Sequence, residues 1–206
     1  MVYLIRGRHM AMNASLLWAF AALMVVISAW NGGWREALWI LPFSLAIALV
    51  AFACFWQPRL MLTPEGVTVR NIVRTAWIPW PELKEVENRY GLYLHSSRLE
   101  RKIPVWAVPS RAISVGYAGR ASDEDKKIHL DWDASPGKYH YVMNIPQAYL
   151  ALTASRTRLA PPIKGKHGHH HDPSPSTLRP NAASLAALAA ALILAVYFAS
   201  SLAMYS

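Results

Sequence analysis

Four histidines within five residues, His167, His169, His170 and His171, form the densest cluster of metal-capable side chains in this 206-residue chain. Imidazoles so close together take up Zn²⁺ or Ni²⁺ and change charge near pH ~6.5. Lys164-Gly165-Lys166 before them and Asp172-Pro173-Ser174-Pro175-Ser176 after them read instead as a flexible linker. A second group alternates along one predicted strand: His129, Asp131 and Asp133 share a face, and His140 falls opposite Asp131 if the chain returns as a hairpin. Such a cluster can hold a metal or move protons. The same ladder is also the ordinary polar face of an antiparallel pair.

Arginines supply a different chemistry. Arg70, Arg74, Arg89 and Arg98, with Trp80, are the candidate contacts for anionic lipid headgroups or a protein partner. Each cation near an anionic leaflet contributes on the order of 1 kcal/mol, and a solvated basic surface is the simpler reading of any one of them. Trp77, Trp80, Trp106 and Trp132 read as core or interface aromatics, Trp80 packing where strand meets corner, with ligand stacking as its alternative. No phosphate-cradling glycine loop, Gly-x-Ser-x-Gly elbow or His-Glu-x-x-His motif is present, and the Ser, His and Asp residues assemble no triad by spacing. The single cysteine, Cys54, lies in an apolar run and excludes an intramolecular disulfide or a Cys-based zinc site. The expectation is therefore a chain that is not an enzyme and carries no cofactor.

The elements that must position these residues divide sharply by polarity. Residues 14–30, 38–56 and 185–204 contain no Asp, Glu, Lys or Arg, whereas the mean hydropathy of the whole chain is only +0.18. A bilayer core about 30 Å thick needs roughly 20 apolar helical residues. The second and third runs reach that length and the first nearly does. Residues 57–181 carry 18 Lys/Arg against 11 Asp/Glu, a basic balance suited to a membrane surface. The basic residues are scattered, which argues against nucleic acid.

Charge flanking sets a topology. Arg6 and Arg8 precede the first run, Arg35 is cancelled by Glu36 between the first two, and Arg59, Arg70 and Arg74 follow the second. Lysines and arginines accumulate on the cytoplasmic side, so the expected order is N-terminus in, a short Asn31-Gly32-Gly33 loop out, the middle domain in and the C-terminus out. The tight loop and the second long run favour an uncleaved helical hairpin over a signal peptide. Trp30, Trp34, Trp39 and Trp56 sit near the helix ends as interfacial aromatics do. In the third run Ala183, Ala187 and Ala191 recur every four residues. That spacing allows close helix approach and helix-mediated self-association, although an alanine-rich anchor needs neither. Asn181, after Pro180, is the expected cap of this helix.

The middle changes to period two. Residues 60–63 and 67–70 read as strands around Pro64-Glu65-Gly66, with Val67 and Val69 on one face and Thr68 and Arg70 on the other. Further strands are predicted at 75–79, 84–90, 92–95 and 102–108, with a corner at Trp80-Pro81-Glu82-Leu83. Residues 128–133 and 138–142 flank Ala134-Ser135-Pro136-Gly137 as a hairpin. Asn144-Ile145-Pro146-Gln147 then opens a short helix with Tyr149, Leu150, Leu152 and Thr153 on its apolar side.

The segments Leu62-Thr63-Pro64-Glu65-Gly66-Val67-Thr68-Val69-Arg70-Asn71 and Ile78-Pro79-Trp80-Pro81-Glu82-Leu83 resemble the bacterial PH-like domains of small membrane proteins common in actinobacteria. The likeness covers about residues 58–108, and a membrane hairpin often precedes the domain in that family. It implies a PH-like barrel with a binding or scaffolding role and no catalytic chemistry, and it does not imply a phosphoinositide ligand.

The expected architecture is thus an α+β membrane protein. Residues 1–57 form a transmembrane hairpin and 58–160 a cytoplasmic PH-like antiparallel barrel or sandwich with a C-terminal helix. Residues 161–181 form a Pro/His-rich linker, and 182–206 a final transmembrane helix. The expected role is tethering at the cell membrane of a domain that binds a protein partner, another membrane protein included, or anionic lipid. Metal handling or accessory transport through the histidine tract is the alternative.

Overall fold

The computed structural model describes residues 3–88, 91–108, 139–142, 145–159 and 174–205. Strands β2 (Arg59–Leu62), β3 (Gly66–Arg70) and β4 (Arg74–Pro79) form an antiparallel meander. Alternation decides which face is inside: Leu60, Leu62, Val67, Val69 and Ile78 are completely buried, while Thr68 and Arg70 keep partial exposure. The β2–β3 turn is fixed by Thr63, whose amide donates to the Gly66 carbonyl at 2.9 Å and whose hydroxyl accepts from the Gly66 amide at 3.2 Å. Gly66 is required there because a Cβ would run into the Ile78 carbonyl of the neighbouring strand.

The Trp80–Glu82 corner is a single 3₁₀ turn. Trp80 is 3% exposed, and its indole N–H donates to the Thr63 carbonyl at 2.9 Å. The chain then enters a second sheet of β5 (Leu83–Glu87), β6 (Tyr93–Ser96) and β7 (Lys102–Pro104). Residues 89 and 90, in the expected strand 84–90, lie outside the described residues. Strand β7 stops at Pro104, short of the expected 108.

Two strands come from segments expected to be something else. Tyr3–Gly7, read as the basic head of a membrane span, is β1, antiparallel to β2 with Ile5 opposite Leu60. Thr177–Pro180, within the expected linker, is β9 and pairs with β4. Strand β8 (Tyr139–Val142) runs parallel to β1, with His140 opposite Ile5. The six-stranded order is β8-β1-β2-β3-β4-β9. This corrects the expectation of a wholly antiparallel barrel: the sheet is mixed, because β1 enters from a sequence-distant terminus and takes an interior position. The expected partner of β8, residues 128–133, lies outside the described residues.

Helix α2 (Ile145–Leu159) covers the core with Ala148, Ala151, Leu152 and Ser155, an i, i+3, i+4, i+7 face. The expected apolar side is rotated: Leu150 is 37% exposed, while Leu152 is fully buried. Both sheets and α2 contribute to one hydrophobic core.

The apolar runs 14–30 and 38–56 fall in one continuous helical stretch, α1 (Arg8–Ala51), extended by a π-helical turn at Phe52–Trp56. The expected loop shrinks to one non-helical residue, Gly33, with φ 74° and ψ −167°. Beyond it the chain returns along itself: the Trp18 indole donates to the Ala48 carbonyl at 3.1 Å, and the Ser44 hydroxyl donates to the Ala21 carbonyl. Helix α3 (Ala182–Tyr205) packs on α1, with Phe198 in ring contact with Trp39 at 4.9 Å and Phe43 at 5.1 Å. Ser184, Ala187 and Ala191 are its buried small residues, and Ala183 of the expected ladder faces outward. By length and composition, the helical stretches Arg8–Trp56 and Ala182–Ala203 can each cross a membrane.

Candidate functional site

Asn71 organises the site. It follows β3 and closes the turn to β4, its backbone amide donating a hydrogen bond to the Arg74 carbonyl at 2.9 Å. Its side chain reaches the end of β7, donating to the Pro104 carbonyl at 2.7 Å and accepting from the Trp106 amide at 3.0 Å. Its own carbonyl accepts from the side-chain amide of Asn181 at 2.7 Å, and the Asn181 backbone amide donates to the Val73 carbonyl at 2.8 Å. One asparagine thereby fixes the β3–β4 turn, the β7 exit and the start of α3 to one another.

Between these three segments lies a cleft of about 380 Å³. Its apolar lining includes Ile72, Val73, Ile103 and Leu178, and Trp106 stands at its side 53% exposed. Arg74, Arg101 and Lys102 supply its charge, and among the described residues no carboxylate lines it. Lys102 is engaged by Glu87 at 2.7 Å. The hydrogen bond that the ammonium donates to that carboxylate, and then the carboxylate's charge, hold the ammonium pKa above the ordinary lysine value. Arg74 and Arg101 are the exposed guanidinium groups left to an incoming anion.

The shape is a basic, amphipathic groove supported on an antiparallel meander, and residues 57–116 match the family model of a bacterial PH domain. The chain carries a bacterial PH domain. No curated protein and no solved structure gives a significant match to the chain.

Within the PH domain the expected contact residues are dispersed. Arg74 lines the cleft. Arg70 stands opposite Arg59 on β2 and donates to the Gln57 side chain at 3.3 Å, below the helices. Trp80 is in the core, and Arg98 is exposed on the β6–β7 turn. Arg89 lies outside the described residues, as do His129, Asp131, Asp133 and the tract His167, His169, His170 and His171. Among the described residues no three metal-capable side chains cluster.

Three lining residues, Arg101, Lys102 and Leu178, carry no expectation as contacts, and Trp106 is expected only as a core or interface aromatic. A basic pair followed four residues later by a tryptophan is a visible signal, but nothing local connects it with residues 71–74 or 178. Arg6 escaped in another way, since it counted only toward topology. It is completely buried at the foot of α1, its guanidinium 4.6 Å from the Trp56 ring centroid and donating to the Trp56 carbonyl at 2.6 Å.

Proposed function

We propose that the chain is a non-enzymatic integral membrane protein whose helices hold its PH domain against the cytoplasmic face of the cell membrane, where the domain binds anionic lipid headgroups or a protein partner. One observation carries this reading. The first and last strands of the six-stranded sheet in chain order, β1 and β9, lead directly into long apolar helices whose outer surfaces are hydrophobic. Leu16, Phe20, Val26 and Ile27 on α1, and Leu192, Ile193 and Val196 on α3, are at least half exposed. Only 22% and 17% of the two apolar windows are buried, whereas a core helix of a water-soluble protein is mostly buried. Contiguous apolar surface of this extent calls for lipid or a partner.

A bilayer also accounts for several details together. The two halves of α1 cross as a hairpin, with Trp30 and Trp34 at its far turn where interfacial aromatics belong. Small buried residues let α3 approach the hairpin closely. Ordering of β1 within the sheet argues against a removable leader, since its loss would split β8 from β2. The positive flanks at Arg6, Arg8, Arg59 and Arg70 keep the PH domain inside. PH domains are typically binding modules without catalytic chemistry. A domain mounted at both ends meets its ligand at high effective concentration, so weak contacts suffice.

Cysteine labelling tests the arrangement. In a Cys54→Ala background, Asn31→Cys should react with an impermeant maleimide on intact cells, and Lys84→Cys only after permeabilisation. The reverse pattern, or release of the protein by alkaline carbonate, overturns the reading.

A further inference from the structure

The cleft is bounded by the residues that lead into α3. Asn181, the last residue before that helix, is bonded to both Asn71 and Val73 of the cleft rim, and Leu178 of β9 lines the cleft itself. If α3 crosses the membrane, as proposed above, this opening lies at the headgroup level of the inner leaflet. Its chemistry is divided as a phospholipid is divided: guanidinium groups for a phosphate, and Val73, Leu178 and the exposed Trp106 face for glycerol and the first acyl carbons.

We propose that this cleft seats the headgroup of an acidic phospholipid from the adjoining leaflet. Arg74 and Arg101 bind the phosphodiester, and Trp106 covers the glycerol end. Guanidinium groups suit this role because their planar donors meet two phosphate oxygens at once. Lys102 contributes its alkyl stem while its ammonium stays with Glu87. An acidic peptide would match the charge, but it would leave the apolar lining beside the membrane entry unexplained.

The proposal rests on the membrane reading, and its test separates the two. Full-length protein is reconstituted in nanodiscs of phosphatidylcholine with or without phosphatidylglycerol, and retained lipid is read by native mass spectrometry. Wild-type protein should retain phosphatidylglycerol selectively. Arg74→Gln with Arg101→Gln should weaken retention about 30-fold, from the usual contribution of two interfacial cations. Trp106→Ala should weaken it without changing the salt dependence, and the control pair Lys84→Gln and Arg156→Gln, both exposed and outside the cleft lining, should leave it intact. Melting curves of all variants in detergent confirm folding.

Equal weakening by the control pair would mean diffuse surface charge and overturn the proposal. So would equal competition by glycerol phosphate, which would assign the cleft to a free anion. Tighter binding of a polyglutamate peptide than of the lipid, lost in the arginine double variant, would assign it to a protein partner and also overturn it. Alkaline carbonate extraction of the same preparation reports on the membrane reading by itself: a chain that stays in the membrane yet shows no lipid preference sinks only the cleft.

Discussion

The Arg6 guanidinium lies over the Trp56 ring, 4.6 Å from its centroid, and donates to the same residue's backbone carbonyl at 2.6 Å. The two residues are fifty positions apart, one on the first strand and the other at the end of the π-helical turn. Trp18 tilts against Trp56 from the other half of α1 at 5.1 Å. A cation, two indoles and a carbonyl thus join the sheet to the foot of the helices.

Loss of that junction is the first prediction. A desolvated cation–π contact contributes about 2 kcal/mol, and a hydrogen bond from a charged donor about 1.5–3 kcal/mol. Part of this is offset by removing the burial cost of the charge. Arg6→Met should lower stability by about 2 kcal/mol in detergent-solubilised protein, followed by thermal unfolding. Arg6→Lys should recover only a fraction, because an ammonium lacks the planar fork.

The turn of α1 makes a second prediction through two adjacent glycines. Gly33 has φ 74° and ψ −167°, a region essentially reserved for glycine, and nothing lies within 4 Å of a Cβ added there. Gly33→Ala is therefore a backbone effect and should cost about 1–3 kcal/mol. At Gly32 an added Cβ would overlap the Cγ of Glu36 and come within 2.9 Å of its Cβ, so the first turn beyond Gly33 has to shift. Gly32→Ala should therefore also destabilise in the same unfolding experiment, and Glu36→Ala should recover part of that loss.

Helix packing gives the third. Ala187 is 8% exposed and Ala191 4%, whereas Ala183 faces outward. Ala191→Leu should separate α3 from α1 and cost about 1–3 kcal/mol through overpacking, with quenching between a labelled α3 and α1 as the readout. Ala183→Leu should leave that quenching unchanged.

The fourth concerns pH. Glu87 raises the pKa of Lys102, so the charged ammonium is favoured in the folded state. A raised pKa stabilises fully below the ordinary lysine value, and the benefit fades as pH rises through the higher folded value. The stability difference between wild type and Lys102→Met should stay constant from about pH 6 to about pH 9 and shrink in stronger alkali. The pair is exposed, and added salt should also reduce the difference.

Local chemistry made the meander legible. Thr63-Pro64-Glu65-Gly66 carries its own turn signal, and Val67 and Val69 alternate with Thr68 and Arg70 in strict period two. The 3₁₀ corner at Trp80 follows from Pro81 at its start. Strands β1 and β9 were hidden because each is four or five residues long beside a much stronger apolar helix signal, and their partners lie far away in sequence. Leu4 meets Met61 and Tyr139, and Ala76 meets Leu178. For the same reason Arg74 could be singled out as basic and near the domain, but not joined to Arg101 and Trp106, which only the tertiary fold brings to one opening. Trp80 illustrates the converse. Its type suits core packing first and ligand stacking as an alternative, and the bond to Thr63 inside the core shows where the indole went.

The place of β1 has a consequence for biogenesis. Tyr3–Gly7 leaves the ribosome before α1, yet both neighbours of this strand, β2 and β8, are synthesised after that helix. The segment must therefore wait, unsatisfied, while α1 and the strands after it are made, and it zips into place only when late residues arrive. An amino-terminal fusion that occludes these five residues would leave a full-length protein whose domain cannot close.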